Sequence, residues 1–350
     1  MNDYRLQNSA YRSALIIIMN NMHKSKIIGM GYAVPNNIVS NNDLTKIMDT
    51  SDDWIQSRSG IKERRWSTDD INTSDLAYEA SLKAIKNSKL RASDIDLVIV
   101  GTLSSDYFFP GVSAQLQERL GLNTVGAFDI KAACSAFIYS LSIADQFIKT
   151  GAVNTVLIVG AENQTKLIEK TTRGRDVAVL FGDGAGAAIL KRSDDESEIL
   201  STHLHSEGKH LKDLWMEAPG TSKDAWIHDK IDHSKFTPKM NGREVFRNAV
   251  NRFPEVINEA LNKNDLDINQ VKYIIPHQAN YRISQAIAKK LNVKMDKIIS
   301  NIHKYGNTTA ASIPIALAEA IEMKKISKGD LVILAAFGAG FTWASAAIRW

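Results

Sequence analysis

Hydrophobic positions along the chain alternate between two patterns. Continuous apolar runs rich in β-branched residues occur at 96–100, 155–159, 271–276 and 331–336. Such runs predict strands buried on both faces. Between them the apolar spacing turns helical. Phe137, Leu141, Ala144 and Ile148 share one face of a helix that stops at Gly151, a natural C-terminal glycine. Shorter strands are predicted at 24–29, 127–130, 184–190, 298–301 and 342–349. Further helices are predicted at 44–58, with a turn, and from a cap at Thr73-Ser74 to about Lys89. Three more fall at 243–261, bent or broken by Pro254, at 281–291 and at 310–323.

The elements repeat. Each half reads strand, helix, strand, one chemically distinctive residue, helix, glycine, strand, strand. The distinctive residue is Cys134 in the first half and Asn307 in the second. This predicts a duplicated α/β fold, its mixed sheets covered by helices, with halves at 24–195 and 196–350. Residues 1–23 surround a short apolar run at 14–19, offer later starts at Met19 and Met22, and read as an extension outside the fold. A polar stretch at 203–239, with several histidines and tryptophans, reads as an excursion.

Composition narrows the function classes. A chain of 350 residues, 44% hydrophobic, buries a large core. Net charge is +4, too mild to predict nucleic-acid binding, yet it leaves room for a local basic patch. The single cysteine excludes an intrachain disulfide and a cysteine-rich metal site, and it suits a reducing compartment. No apolar run is long enough to span a bilayer, and no signal-peptide pattern is present. A cytoplasmic protein without membrane contact is expected.

Candidate chemistry begins at Phe128-Asp129-Ile130-Lys131-Ala132-Ala133-Cys134-Ser135-Ala136-Phe137. Cys134 falls where a strand ends and a helix starts. Unpaired N–H groups there favour a negative charge and predict a lowered thiol pKa. The small neighbours leave room for a reactant. The competing reading is a buried structural thiol. His277 follows a strand's carboxyl end, where ligand crevices form in α/β sheets; a satisfied core histidine is the alternative. Asn307 after Gly306 reads equally as a turn and cap residue. The turn Phe337-Gly338-Ala339-Gly340-Phe341 is a tight hairpin or a source of backbone N–H for an oxyanion. A phosphate-cradling reading of Gly182–Gly186 fails on spacing, because no G-x-G-x-x-G is present.

Together these stretches resemble the thiolase-fold condensing enzymes, and most closely the β-ketoacyl-acyl-carrier-protein synthase III family, from about Lys26 to the end of the chain. The likeness includes Ser51-Asp52-Asp53-Trp54-Ile55, Arg58-Ser59-Gly60-Ile61, Glu63-Arg64-Arg65 and Ala132-Ala133-Cys134. It continues through Phe181-Gly182-Asp183-Gly184-Ala185-Gly186-Ala187, Met240-Asn241-Gly242-Arg243-Glu244-Val245-Phe246, His277-Gln278-Ala279-Asn280 and Gly306-Asn307-Thr308.

The resemblance implies that Cys134 accepts an acyl group from acyl-CoA. It implies that His277 and Asn307 bind the malonyl thioester carbonyl, and that backbone N–H groups of Cys134 and Ala339 form the oxyanion hole. Trp54 and Arg175 match the positions that sandwich adenine, with Arg58 and Asn280 along the coenzyme A path. Arg247, Arg282, Lys289 and Lys290 match the surface that receives the acidic carrier protein; for the lysine pair, a solvated helix face is the alternative. Phe109 matches a pocket residue that reaches across a homodimer interface. No cofactor and no metal are implied, coenzyme A arriving only as the thioester substrate. The glycines at 182–186 take a structural role.

The chain departs from the family at Ala339 and Ala136, where glycine is common. Ala339 strains its turn if φ > 0 is needed, and Ala136 predicts a narrower pocket. Among rivals, a thiolase needs a second cysteine as base, and a non-catalytic partner subunit lacks the nucleophile. A relative of specialised metabolism that condenses or transfers other acyl groups stays open at this point.

Overall fold

The structure, a computed structural model, describes residues 22–221 and 233–350. The main elements along the chain are β1 (Ser25–Ala33), α1 (Asp52–Ser59), α2 (Thr73–Ser88), β2 (Leu97–Gly101), α3 (Val112–Arg119), β3 (Gly126–Ile130), α4 (Ala136–Lys149), β4 (Thr155–Glu162) and β5 (Gly184–Arg192). They continue with β6 (Glu198–Ser206), α5 (Gly242–Lys263), β7 (Val271–Pro276), α6 (Tyr281–Lys290), α7 (Ser312–Glu322), β8 (Leu331–Gly338) and β9 (Thr342–Arg349). One sheet is ordered β1-β5-β4-β2-β3 and the other β7-β8-β9-β6. In the first, β2 runs parallel to β3 and β4; in the second, β7 runs parallel to β8. The remaining pairs are antiparallel.

Side-chain alternation explains the layers. Ile99 and Ile158 point inward from the first sheet, Val332 and Leu334 from the second. Between them lie Phe137 and Leu141 of α4 and Ile313 and Leu317 of α7. Val98, Val100 and Leu157 point outward, under α2 and α3. Ile274 and Ile333 face Phe253 and Ile257 of α5 and Ile287 of α6. The result is helix, sheet, helix, sheet, helix. Each fully buried side chain of this kind, Phe137 at 0% exposure among them, contributes roughly 1.5–3 kcal/mol. No described helix is long and apolar enough to cross a membrane.

The structure refines the sequence reading in several places. Residues 298–301 form no strand; Ile298 makes one parallel bridge to Ile274. The Gln278 side chain takes the Ser300 hydroxyl (2.9 Å) and the Asn301 N–H (3.2 Å), so the segment turns away from the sheet. Pro254 does not end its helix, and α5 runs through it. Packing of Phe253, Val256 and Ile257 on the second sheet outweighs the roughly 3 kcal/mol that an internal proline costs. Helix α2 is capped one residue earlier than expected, by Asn72, whose N–H donates to Asp75 at 2.8 Å.

The repeat also has a different register. Ala133 (φ 48°) and Thr309 (φ 46°) each open a short 3-10 turn, Ala133–Ser135 and Thr309–Ala311, that feeds α4 and α7. By that backbone match Cys134 corresponds to Ala310, and Asn307 stands ahead of the turn. Most of the N-terminal extension, residues 1–21, lies outside the described residues, but the His23 N–H donates to Lys149 O at 3.0 Å. Of the polar stretch at 203–239, residues 222–232 lie outside them too, and His203 and His205 belong to β6.

Candidate active site

A cavity of about 250 Å3 takes its lining from both halves. Cys134 comes from the turn before α4, Gly338 and Ala339 from the end of β8, His277 from the end of β7, and Asn307 from the loop before α7. Most other lining residues are apolar, Leu103, Leu167, Trp215 and Phe246 among them.

Cys134 is 6% exposed. Its position near a helix start predicts a lowered pKa, but burial pushes the thiol up to about 12, and the nearby Glu162 carboxylate adds to the rise. Only the residue's own backbone N–H opposes them. Desolvation therefore outweighs the helix terminus. Glycine is required beside the nucleophile: a Cβ on Gly338 would lie 2.9 Å from both Cys134 Cβ and Cys134 N.

The two alanines that replace family glycines sit without strain. Ala339 is not among the residues with positive φ. The Thr342 hydroxyl lies 3.1 Å from Ala339 O and 3.2 Å from Ala132 O, which ties this turn to the nucleophile's turn. Ala136 does not narrow the cavity. It is 1% exposed, packs with Ala132 and Ala310, and faces Gly101, where a Cβ would meet its own at 2.7 Å.

His277 and Asn307 are each held at one end. Asn307 N–H donates to Leu180 O (2.8 Å), and its carbonyl accepts from Gly182 N–H (3.0 Å). Asn307 Oδ1 accepts the Thr309 N–H at 2.9 Å, which leaves the amide nitrogen as the free end. Gly306 (φ 66°) permits the turn; a Cβ there would meet Leu180 O at 2.8 Å. His277 is 2% exposed, and burial lowers its pKa to about 3, so the ring is neutral. Its Nδ1 lies 2.6 Å from Ser312 Oγ.

Two residues with no assigned role emerge here. Glu162, at the end of β4, is fully buried and accepts from the Ser104 hydroxyl (2.6 Å) and the Gln164 amide (3.1 Å). Ser312 touches His277. Nothing in the sequence marks Glu162, because a carboxylate at a strand end usually faces water. Ser312 carries no signal of its own in the sequence.

The glycine run has a packing reason. A Cβ on Gly186 would meet Pro314 Cβ at 2.6 Å, so α7 fills the space a phosphate would need. Asp183 in the same run is buried and accepts Ser67 N–H (2.7 Å), Thr165 N–H (2.9 Å) and the Thr165 hydroxyl (2.5 Å).

The Arg58 and Arg175 guanidinium carbons lie 4.5 and 5.0 Å from the Trp54 ring centroid. Arg175 Nη1 donates to Asp49 O at 2.6 Å, and its Nε makes no hydrogen bond among the described residues but lies 3.8 Å from Asp176 Oδ1. Asn280 lines the cavity and donates to Arg58 O at 2.9 Å, which ties the Trp54, Arg58 and Arg175 cluster to the cavity wall. Arg282 lies over Phe246, another lining residue, at 5.5 Å. Arg247 pairs with Glu244. Lys290 donates to Asn251 Oδ1 at 2.5 Å, and Lys289 is exposed beside it. Phe109 is 79% exposed and does not line the cavity.

A thiol and two neutral side chains able to donate an N–H line one largely apolar cavity, an arrangement able to hold an acyl thioester while stabilising a second carbonyl oxygen. Comparison with known proteins agrees. Two family models match, 3-oxoacyl-[acyl-carrier-protein] synthase III over residues 128–208 and its C-terminal part over residues 261–350. A β-ketoacyl-[acyl-carrier-protein] synthase III of Xanthomonas campestris is 45% identical over 93% of this chain and 98% of its own length. The solved 3-oxoacyl-[acyl-carrier-protein] synthase III of Aquifex aeolicus superposes with a TM-score of 0.86 at 43% identity, covering 93% of this chain and all of its own. A priming β-ketosynthase of a polyketide biosynthetic pathway gives 0.87 at 31% identity, over 94% and 96% of the two chains. The motif order read from the sequence, the layered fold and these relatives coincide, and the chain belongs to the β-ketoacyl-[acyl-carrier-protein] synthase III family.

Proposed function

We propose that this enzyme joins an acyl-CoA starter to malonyl-acyl-carrier protein by decarboxylative Claisen condensation, opening type II fatty acid synthesis. The observation that carries the reading is the cavity's titratable content. Among its lining residues only Cys134 and His277 titrate, and the histidine is neutral. Among the described residues no lining carboxylate or second thiol stands ready to remove a proton from carbon, as a thiolase requires. The greater identity to the fatty-acid enzymes, 45% against 31% for the polyketide relative, favours this reading over specialised metabolism.

In the first half-reaction Cys134 sulfur attacks the acyl-CoA carbonyl, and the bond to coenzyme A sulfur breaks. The thiol proton leaves with coenzyme A. Malonyl-carrier protein then enters the same channel. Its carbon–carboxylate bond breaks, CO2 departs, and the electron pair becomes an enolate. The free N–H ends of His277 and Asn307 hold the enolate oxygen. The enolate carbon attacks the acyl-Cys134 carbonyl. Backbone N–H groups of Cys134 and Ala339 hold the tetrahedral oxyanion, which collapses to expel the thiolate. The first half, residues 24–195, thus supplies the nucleophile and the second, 196–350, the donor pair.

Trp54 and Arg175 receive the adenine, with Arg58 and Asn280 along the coenzyme A path. Arg247, Arg282, Lys289 and Lys290 meet the carrier protein. A homodimer is supported by β3, an edge strand whose Phe128 is 37% exposed, and by the exposed run Tyr107, Phe108 and Phe109. Exposed strand edges and apolar runs are normally covered, and Phe109 would enter the pocket of a second copy. No cofactor takes part in this scheme, and the reduced single thiol suits the cytoplasm.

The test separates the half-reactions. His277→Ala and Asn307→Ala should lose malonyl decarboxylation by about 10²-fold or more, as expected for removal of an oxyanion donor, while Cys134 still becomes acylated. Cys134→Ala should show the reverse. CO2 release and mass detection of the acyl-enzyme read the two steps. Wild-type decarboxylation by Asn307→Ala would refute the assignment.

A further inference from the structure

We propose that Ser312 is a positioning residue that fixes the His277 ring as the Nε2–H tautomer and so makes it a hydrogen-bond donor toward the cavity. The inference rests on the proposed decarboxylation role of His277. A neutral imidazole carries one proton and one lone pair, and which nitrogen holds the proton is set by the bond the other makes. His277 Nδ1 lies 2.6 Å from Ser312 Oγ, and Nε2 makes no hydrogen bond among the described residues. The donor direction of that one contact therefore decides what the cavity meets.

The surroundings of Ser312 decide the direction. Ser312 opens α7 and is 2% exposed, so water does not serve its hydroxyl. The Gln278 N–H donates to Ser312 Oγ at 3.4 Å and occupies a lone pair. A helical serine often turns its proton back to the carbonyl four residues earlier, here Thr308 O. That carbonyl already accepts the Ala311 N–H at 2.9 Å, and Ser312 makes no hydrogen bond to it. His277 Nδ1 is thus the acceptor in reach of the hydroxyl proton. If Nδ1 carried the proton instead, it would donate to Oγ, and the buried hydroxyl proton would have no acceptor. The order is Gln278 N–H to Ser312 Oγ, Ser312 O–H to Nδ1, and Nε2–H into the cavity.

The relay is rigid. Gln278 Nε2 donates to Pro276 O at 2.6 Å, and its Oε1 accepts from Ser300 and Asn301. The His277 backbone N–H donates to Ala335 O at 2.8 Å, which holds the ring's base to β8. The opposite tautomer would present a lone pair to the developing enolate oxygen and repel it.

Two measurements test this on the full-length enzyme. The first uses wild type with 15N-labelled histidine and long-range 1H–15N spectra between pH 6 and 8, with the His277 signals identified by their loss in His277→Gln. Nε2 should be protonated and Nδ1 bare. An Nδ1–H tautomer in wild type overturns the proposal, and that reading needs no variant to fold. The second compares Ser312→Ala with Ser312→Thr. The alanine variant should lose roughly tenfold in CO2 release from malonyl-carrier protein, acylate Cys134 within about twofold of wild type, and show a mixed or reversed tautomer. Threonine, which keeps the hydroxyl, should restore the Nε2–H signature. A folded Ser312→Ala with wild-type tautomer and rate refutes the positioning role while leaving the function intact, provided His277→Ala still loses decarboxylation. If His277→Ala itself decarboxylates normally, the function reading fails first.

Discussion

Replacing Glu162 with glutamine should change the pH dependence of stability in a predictable direction. The carboxylate is fully buried. It accepts from Leu103 N–H (3.2 Å), the Ser104 hydroxyl (2.6 Å), the Gln164 amide (3.1 Å) and the Ala310 N–H. These four donors favour the charged form, yet desolvation outweighs them and raises the pKa from 4.5 to about 7. That gap is worth about 3 kcal/mol. A group whose folded pKa is raised contributes stability that is fully present below its unfolded pKa and is lost as pH rises through the folded one. Wild type should therefore lose about 3 kcal/mol from this group between roughly pH 4.5 and a little above 7. Glutamine does not titrate and should lose nothing there.

The glutamine variant also turns one amide N–H toward a cluster of donors, a pH-independent penalty. That penalty cancels in the difference between two pH values, as do the titrations of Asp183 and His277. Unfolding entropy of about 2.1 cal/mol/K per residue, over 350 residues, makes 3 kcal/mol about 4 °C in Tm. Calorimetry at pH 5 and pH 8.5 should show the wild-type Tm falling about 4 °C relative to the variant on going to the higher pH. A relative shift below about 1 °C, or one of opposite sign, would refute the reasoning. A second readout follows from the charge of Glu162 raising the Cys134 pKa: the variant should alkylate faster with iodoacetamide at pH 8.5.

Other expectations are simpler. Trp54→Ala or Arg175→Ala should raise KM for acyl-CoA several-fold more than KM for malonyl-carrier protein, because the guanidinium pairs with phosphate and stacks on aromatic rings. Lys289→Glu with Lys290→Glu should do the reverse, most strongly at low salt, and steady-state kinetics with each substrate varied separates the two. Gly338→Ala should cut Cys134 acylation at least about tenfold, since the new methyl would lie 2.9 Å from Cys134 Cβ and N; acyl-enzyme mass spectra at wild-type rate would count against it.

The buried strands were legible because Leu97–Gly101 and Leu331–Gly338 carry apolar residues on both faces, and burial on both faces is what they have. Cys134, His277 and Asn307 were found through motif order, and the structure brings all three to one cavity. What escaped has a physical reason in each case. The two three-residue strands Ile38–Ser40 and Glu63–Arg65 are too short for a period, and the second holds the fully buried Arg64, whose guanidinium donates to the carbonyls of Val39 and Val179. Pro254 was read by local rules that tertiary packing overrode. The thiol pKa was read from the helix start alone, whereas the largest influence is desolvation, which no stretch of sequence shows. Glu162 and Ser312 act through contacts with residues distant in the chain.

His277 and Asn307, the proposed donors, share a device that bears on why this fold suits decarboxylation. Each is an ambivalent group, an amide with a donor and an acceptor end and a ring with a donor and an acceptor nitrogen. Asn307 spends its acceptor end on Thr309 N–H (2.9 Å), and His277 spends one nitrogen on Ser312 (2.6 Å). Both bonds come from the start of α7, the counterpart in the second half of the turn that carries Cys134 in the first. Duplication has thus placed two equivalent turns, each opened by a residue with positive φ, side by side at one cavity. One turn presents sulfur; the other polarises two side chains presented by neighbouring loops. Backbone strain of this kind costs on the order of 1–3 kcal/mol per residue and persists only where surrounding packing imposes it. Here α4 and α7, buried together between the sheets, impose it on both turns. The buried carboxylate in this region, Glu162, is committed to its own four donors and does not line the cavity. Under the proposed function, what faces the reactants among the described residues is therefore a pair of fixed donors without a base. Such a site cannot easily make a carbanion by taking a proton, but it stabilises one released by loss of CO2.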